Sequence, residues 1–315
     1  MKQTKRMRMQ LIAAIAMVLV AGIALVSATY AWFISNRKVD GTTTTISAKT
    51  NGFILQIAEG DKVQHGGDQA SLKAQTEGHK ISPSSTNNIK DWYVSYGWDN
   101  EGKVTSYIKP DSLDAAGKYQ VAGEDYYAYV VSEYTLYTIT DSGYADVYLN
   151  GSEDGGAIQV AVENGTGSDR VKKSMRVAIT IQEDGGEEQL KLVYSPTDET
   201  GKGNDADAKD GWTYVDSENS TATVTYPHIY GTTYIDQNGS NWAAEKYGED
   251  YRLPTDSTDN KKIAEHVGYD GVRMRIYIWM EGTDADCINN GEEEDTSTYS
   301  VTVSLAGVMA EQSNP

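Results

Sequence analysis

Four histidines, His65, His79, His228 and His266, are among the scarcest chemistry-bearing side chains of this 315-residue sequence. None has a partner at zinc-ligand spacing, and there is no His-Glu-x-x-His pair on one helical face. His266 follows Glu265, but the inverted zinc motif needs a second His where Lys262 stands. No Gly-x-Ser-x-Gly elbow or Gly-rich phosphate loop occurs. The 46 Asp and Glu residues are too plentiful for any two to be singled out as acid and base. The histidines therefore read as surface or turn residues, and no catalytic residue is assigned.

Two acidic loops have the oxygen-rich composition of calcium ligands. Residues Asn204 to Gly211 begin like an EF-hand loop, but Lys209 takes a ligand position and Gly211 comes one place late. Asp284, Asp286 and Asn289 supply alternating oxygens, without the register of a known loop, and read first as a solvated turn, with a weak calcium site as the alternative; no other cofactor is expected. The sole cysteine, Cys287, excludes an internal disulfide and reads as a small buried side chain. Trp92, Tyr93, Tyr96 and Trp98, or the run from Tyr126 to Tyr137, have the composition of a sugar-stacking platform. With only two Phe in the chain, these rings must also fill the core.

The elements that would position these groups are strands. Period-two alternation recurs, as in Met175, Val177, Ile179 and Ile181 against Arg176, Ala178 and Thr180. The clearest instance sets Val272, Met274, Ile276, Ile278 and Met280 against Arg273, Arg275, Tyr277 and Trp279. Leu190 to Tyr194 and Val301 to Leu305 alternate in the same way, and Tyr127 to Ile139 is a long aromatic and β-branched run. Turn signals lie at Asn150-Gly151, Asp154-Gly155-Gly156, Asn164-Gly165 and Asp184-Gly185-Gly186. The pattern predicts an all-β fold, an antiparallel β-sandwich of jelly-roll type spanning 34–315. Polar stretches at about 60–88 and 195–262 read as insertions, with short helices near Asp68 to Gln75 and Trp242 to Tyr247.

Residues 1–33 have a different character. Lys2, Lys5, Arg6 and Arg8 precede an uncharged run from Leu11 to Phe33, which reads as a hydrophobic export helix, either a signal peptide or a retained anchor. Ala28 and Ala31 are small residues suited to a signal peptidase, which is an expected partner; the membrane is expected to be touched only through residues 11–33 if they are kept. The rest of the chain is expected to be secreted or displayed at the cell surface. Loss of Met1 to Ala31 removes four basic residues and no acid, moving the net charge from −19 to −23. Such a surface argues against nucleic acid as a partner.

Ala28-Thr29-Tyr30-Ala31-Trp32-Phe33, followed closely by strand-like sequence, resembles the end of the export signal in the TasA/camelysin family of Firmicute surface and biofilm-matrix proteins. That signal is processed by a SipW-type peptidase. Trp279, Glu281, Gly282, Asp284 and Cys287 are similar to a Trp-x-Glu-Gly-x-Asp-x-x-Cys pattern of exported clostridial proteins with such signals. The resemblance covers the two ends and, loosely, Met175 to Ile181. It implies a biofilm-matrix or fibre subunit that self-associates by strand donation. Camelysins have been described as metallopeptidases, an activity not carried over because the zinc motif is missing. The candidate donated segment comprises Thr42, Thr43, Thr44, Thr45, Phe53, Leu55 and Ile57, since an added strand is held by backbone hydrogen bonds alone. The same segment is equally suited to pairing within its own sheet. The rival functional reading is a surface glycan- or protein-binding module.

Overall fold

Side chains that alternate in polarity favour an extended backbone, because only the two-residue repeat sends every apolar group to one face. The computed structural model describes residues 38–39, 43–50, 55–60, 71–75, 79–86, 88–111, 113–139, 143–149, 157–164, 169–195, 212–215, 221–224, 228–230, 262–284, 286–288 and 298–310. In chain order these form β1 (Lys38–Val39), β2 (Thr43–Thr50), β3 (Leu55–Glu59), β4 (Ser71–Gln75), β5 (His79–Lys80), β6 (Ser84–Thr86) and β7 (Trp92–Trp98). Next come β8 (Val104–Ile108), β9 (Lys118–Val121), β10 (Glu124–Tyr127), β11 (Val130–Thr138), β12 (Ala145–Leu149) and β13 (Ile158–Asn164). A short helix, α1 (Asp169–Ser174), leads into β14 (Met175–Gln182), β15 (Gln189–Ser195), β16 (Trp212–Val215), β17 (Thr221–Val224) and β18 (His228–Tyr230). The last three strands are β19 (Ala264–Val267), β20 (Val272–Met280) and β21 (Thr298–Met309).

The fold is all-β and its sheets are mainly antiparallel. One six-stranded sheet runs β18-β15-β14-β20-β11-β3. A second runs β19-β12-β21-β2-β4, with β12 and β13 sharing one side of the long β21. Among the described strands, two ladders are parallel, β15 with β18 and β2 with β21. Both sheets contribute to one hydrophobic cluster, in which Met274, Ile276 and Ile278 of β20 join Val147 of β12 and Val301, Val303 and Leu305 of β21. The opposite face of β20 divides into two zones. Arg275 bridges Glu133 and Glu188, each at 2.6 Å. Further along, Tyr277 and Trp279 are buried with Trp92 and Tyr129 beside the three-stranded sheet β6-β7-β8.

The structure differs from the sequence expectations in three places. Ser71–Gln75 is a strand paired with β2, where the sequence suggested a helix. Its Leu72 and Ala74 alternate with Ser71, Lys73 and Gln75, the pattern of a polar edge strand, and five residues are too few to separate that period from a helical one. The stretch 60–88 therefore holds an edge strand of a main sheet, along with β5 and β6. Within 195–262 the described parts are the hairpin β16–β17 and the edge strand β18. Helix α1 was not anticipated, since six residues leave no readable helical period.

The turn at Asp184-Gly185-Gly186 forms as expected, with Gly185 at φ 69° and the Gly186 amide donating to the Glu183 carbonyl at 2.9 Å. The turns expected at 150–151, 154–156 and 164–165 lie wholly or partly outside the described residues, as does the segment 242–247. Lys38–Pro315 is one compact unit. The export segment, including Ala28, Thr29, Tyr30 and Ala31, lies outside the described residues, and among those described no helix is long and apolar enough to cross a membrane.

Candidate functional site

The residues Trp279, Glu281, Gly282, Asp284 and Cys287 gather where β20 ends, and each is placed by backbone hydrogen bonds. The Glu281 amide donates to the Ser174 carbonyl at 2.7 Å, tying the turn after β20 to the end of α1. The Gly282 amide donates to the Ser84 carbonyl at 2.9 Å, tying it to β6. The Cys287 amide donates to the Asp284 carbonyl at 3.0 Å, and Ile288 bridges Lys103 just ahead of β8. The turn after β20 thus staples β6-β7-β8 to the main sheet. Gly282 has a steric reason to be glycine, because a Cβ there would sit 2.6 Å from the Tyr107 hydroxyl oxygen.

The Glu281 and Asp284 carboxylates of this turn are fully enclosed. Asp284 accepts from Arg176 Nη2 at 2.6 Å, with side-chain exposures of 0% and 1%. Its other oxygen accepts the Asp286 amide at 2.7 Å. Arg176 Nη1 also donates to the carbonyls of Lys173 and Met175, both at 2.9 Å. Glu281 accepts from Trp279 Nε1 at 3.0 Å, and from the amide and hydroxyl of Thr283 at 3.1 and 2.8 Å. Burial pushes the Glu281 carboxyl up from its ordinary range, offset in part by the Arg176 charge and by the Trp279 and Thr283 donors.

At Asp284, the first of the residues weighed for calcium, both carboxylate oxygens already have protein partners. A guanidinium already neutralises that carboxylate in a closed site, so the group does not face a solvated loop with free lone pairs. Asn289 lies outside the described residues, and among those described no group of three or more His, Cys, Asp or Glu is arranged to hold a metal ion. Cys287 is buried, as expected of a small core side chain. Sequence reading missed Arg176 as the partner of Asp284. The only available signal was an arginine within a strongly apolar strand, and nothing local identifies a partner 108 positions away.

The aromatic residues at 92–98, weighed as a platform but read more readily as core, are divided. Trp92 is buried, with ring centroids 4.4 Å from Tyr129 and 5.4 Å from Trp279. Tyr96 alone of that group is strongly exposed, at 60%. Of the run 126–137, Tyr126, Tyr129, Tyr134 and Tyr137 are core residues. Burial pushes the Tyr129 hydroxyl up to about 12. A polar cleft of about 310 Å³ lies between the 182–185 and 270–273 turns. Its Arg273 already donates to Gln182 at 3.2 Å, and an acidic rim by itself selects no ligand. His266 is exposed at the end of β19, where its amide donates to Asp146 at 3.0 Å and Lys262 Nζ sits 2.7 Å from the same carboxylate.

The candidate donated segment lies within this chain's own sheets. Thr43, Thr44 and Thr45 belong to β2, which runs parallel to β21 on one side and antiparallel to β4 on the other. Leu55 and Ile57 belong to β3, the terminal strand of the other sheet, and are buried. Thr42 and Phe53 lie outside the described residues. The segment thus has a place within its own chain, the alternative left open by the sequence. No family model, curated protein or solved structure matches the chain.

Proposed function

We propose that this chain is an exported, non-enzymatic surface protein, a filament or biofilm-matrix subunit of the TasA/camelysin kind. In this reading its two main sheets form a jelly-roll-type sandwich, and copies assemble by exchanging the strand β2. The observation carrying the proposal is the parallel ladder between β2 and β21, which pairs Thr43 with Ser300 and continues to Thr50 with Gly307. No short connection holds these strands together, since they come from opposite ends of the chain. Closing so long a loop costs more entropy than closing a hairpin. An identical β2 from a second copy makes the same backbone hydrogen bonds without that loop. Cleavage by a signal peptidase near Ala31 would free this end of the chain, whereas retention would tether each copy to the membrane.

Electron microscopy and gel filtration of chains beginning after Ala31 and after Ile57 test the proposal. The longer chain is expected to form fibres and the shorter one to form none. A longer chain that stays monomeric under all conditions, including added calcium and low pH, would show the filament reading to be wrong.

A further inference from the structure

We infer that the unit exchanged between copies is the whole block β2, β3 and β4, received in a slot lined by the edges of β21 and β11 together. This inference rests on the strand-exchange reading above and deepens it.

The first observation concerns β4. It is the last strand of its sheet and pairs with β2 alone among the described strands, from Thr43↔Gln75 to Ser47↔Ser71. If β2 left by itself, β4 would keep no ladder. The second concerns β3, which ends the other sheet and, among the described strands, pairs only with β11, from Leu55↔Thr138 to Glu59↔Tyr134. It touches both β2 and β4, so the three strands occupy the same side of the two sheets. Gln56 and Ala58 are as deeply buried as Leu55 and Ile57, so β3 is covered on both faces although it ends its sheet. Its apolar side chains would lose cover if β2 and β4 departed.

Chain reach decides between the two modes of exchange. β2 ends at Thr50 and β3 begins at Leu55. Five Cα steps span at most about 17 Å, and two packed sheets are already about 10 Å apart. With β3 fixed on β11, β2 has little length left to reach a neighbour's β21. Finally, the ends of the block meet. Lys38 and Val39, just before β2, pair with Lys80 and His79, just after β4. A block tied at its neck moves as one piece. Its departure opens a long edge on β21 and a shorter one on β11, and the same block from a second copy restores every pair in both ladders.

Three double-cysteine variants of the chain beginning after Ala31 provide the test, each compared oxidised and reduced so that the reduced form controls for folding. Ala58→Cys/Thr135→Cys locks β3 to β11, Ser47→Cys/Ser71→Cys locks β2 to β4, and Thr45→Cys/Thr302→Cys locks β2 to β21. Directly opposed strand positions suit disulfide formation. The expected result is that the oxidised 58–135 lock lowers fibre yield about tenfold or more, reversibly on reduction, because the assembly-competent form is withdrawn. The oxidised 47–71 lock should assemble like its reduced form. Normal assembly of the oxidised 58–135 lock, or a block by the 47–71 lock, overturns the three-strand unit. If the 45–302 lock still blocks in that case, exchange of β2 alone stands. Assembly of the oxidised 45–302 lock, or a wild-type chain that never assembles, overturns both readings.

Discussion

Arg176 and Asp284 meet at 2.6 Å with both side chains enclosed, and this pair explains why the turn after β20 is so constrained. Taking either charge out of water is costly, and the carbonyls of Lys173 and Met175 help repay that cost for the guanidinium. Removing one partner leaves the other charge buried without compensation. Arg176→Met is therefore expected to destabilise the fold by about 3–5 kcal/mol. Urea unfolding of this variant and of wild type measures the difference, and a loss below about 1 kcal/mol would show that the pair is not structural. The sequence pointed to Trp279, Glu281, Gly282, Asp284 and Cys287 as a group. It could not say that the group is a staple, because its partners come from two distant segments, Ser84 on one and Ser174 and Arg176 on the other.

Elements form wherever the local pattern and the long-range pairing agree. β20 was legible because nine residues alternate without interruption and its apolar set faces the core. The hairpin β9–β10 was less so, since its turn is Ala122-Gly123 with φ values of 53° and 87°. Two positive φ angles match the right-handed twist of a tight hairpin, but alanine pays a steric penalty there. Asparagine tolerates that region, so Ala122→Asn is expected to stabilise the protein by about 0.5–1 kcal/mol. A rise in melting temperature measures the gain, and an unchanged or lower value would contradict it. A lysine and a glutamine on β4 fit an edge strand that discourages unplanned pairing.

For the whole molecule, charge opposes the proposed assembly. Each copy carries −19, or −23 once residues up to Ala31 are removed, so approaching copies repel. Raising ionic strength from about 10 mM to about 150 mM shortens the Debye length from about 30 Å to about 8 Å. Fibre formation by the chain beginning after Ala31 is expected to speed up across that range, as light scattering would record. Slower assembly at higher salt would mean that attraction between unlike charges, and not strand exchange against repulsion, governs the encounter.

Alternation in β14, β20 and β21, the Asp-Gly-Gly turn and the shortage of helical periods were enough to establish an all-β protein with mainly antiparallel sheets, because strand period and turn chemistry are local properties. The basic head and uncharged run at the N-terminus set the expectation of export for the same reason. Tertiary structure alone decided that Thr43–Thr50 lies between β21 and β4, that Ser71–Gln75 closes a sheet, and that Asp284 pairs with Arg176. Each of these is a choice among partners far apart in the chain. Local sequence limits which partners are chemically acceptable, but only packing of the complete core selects the one that leaves no ladder, apolar face or buried charge uncompensated.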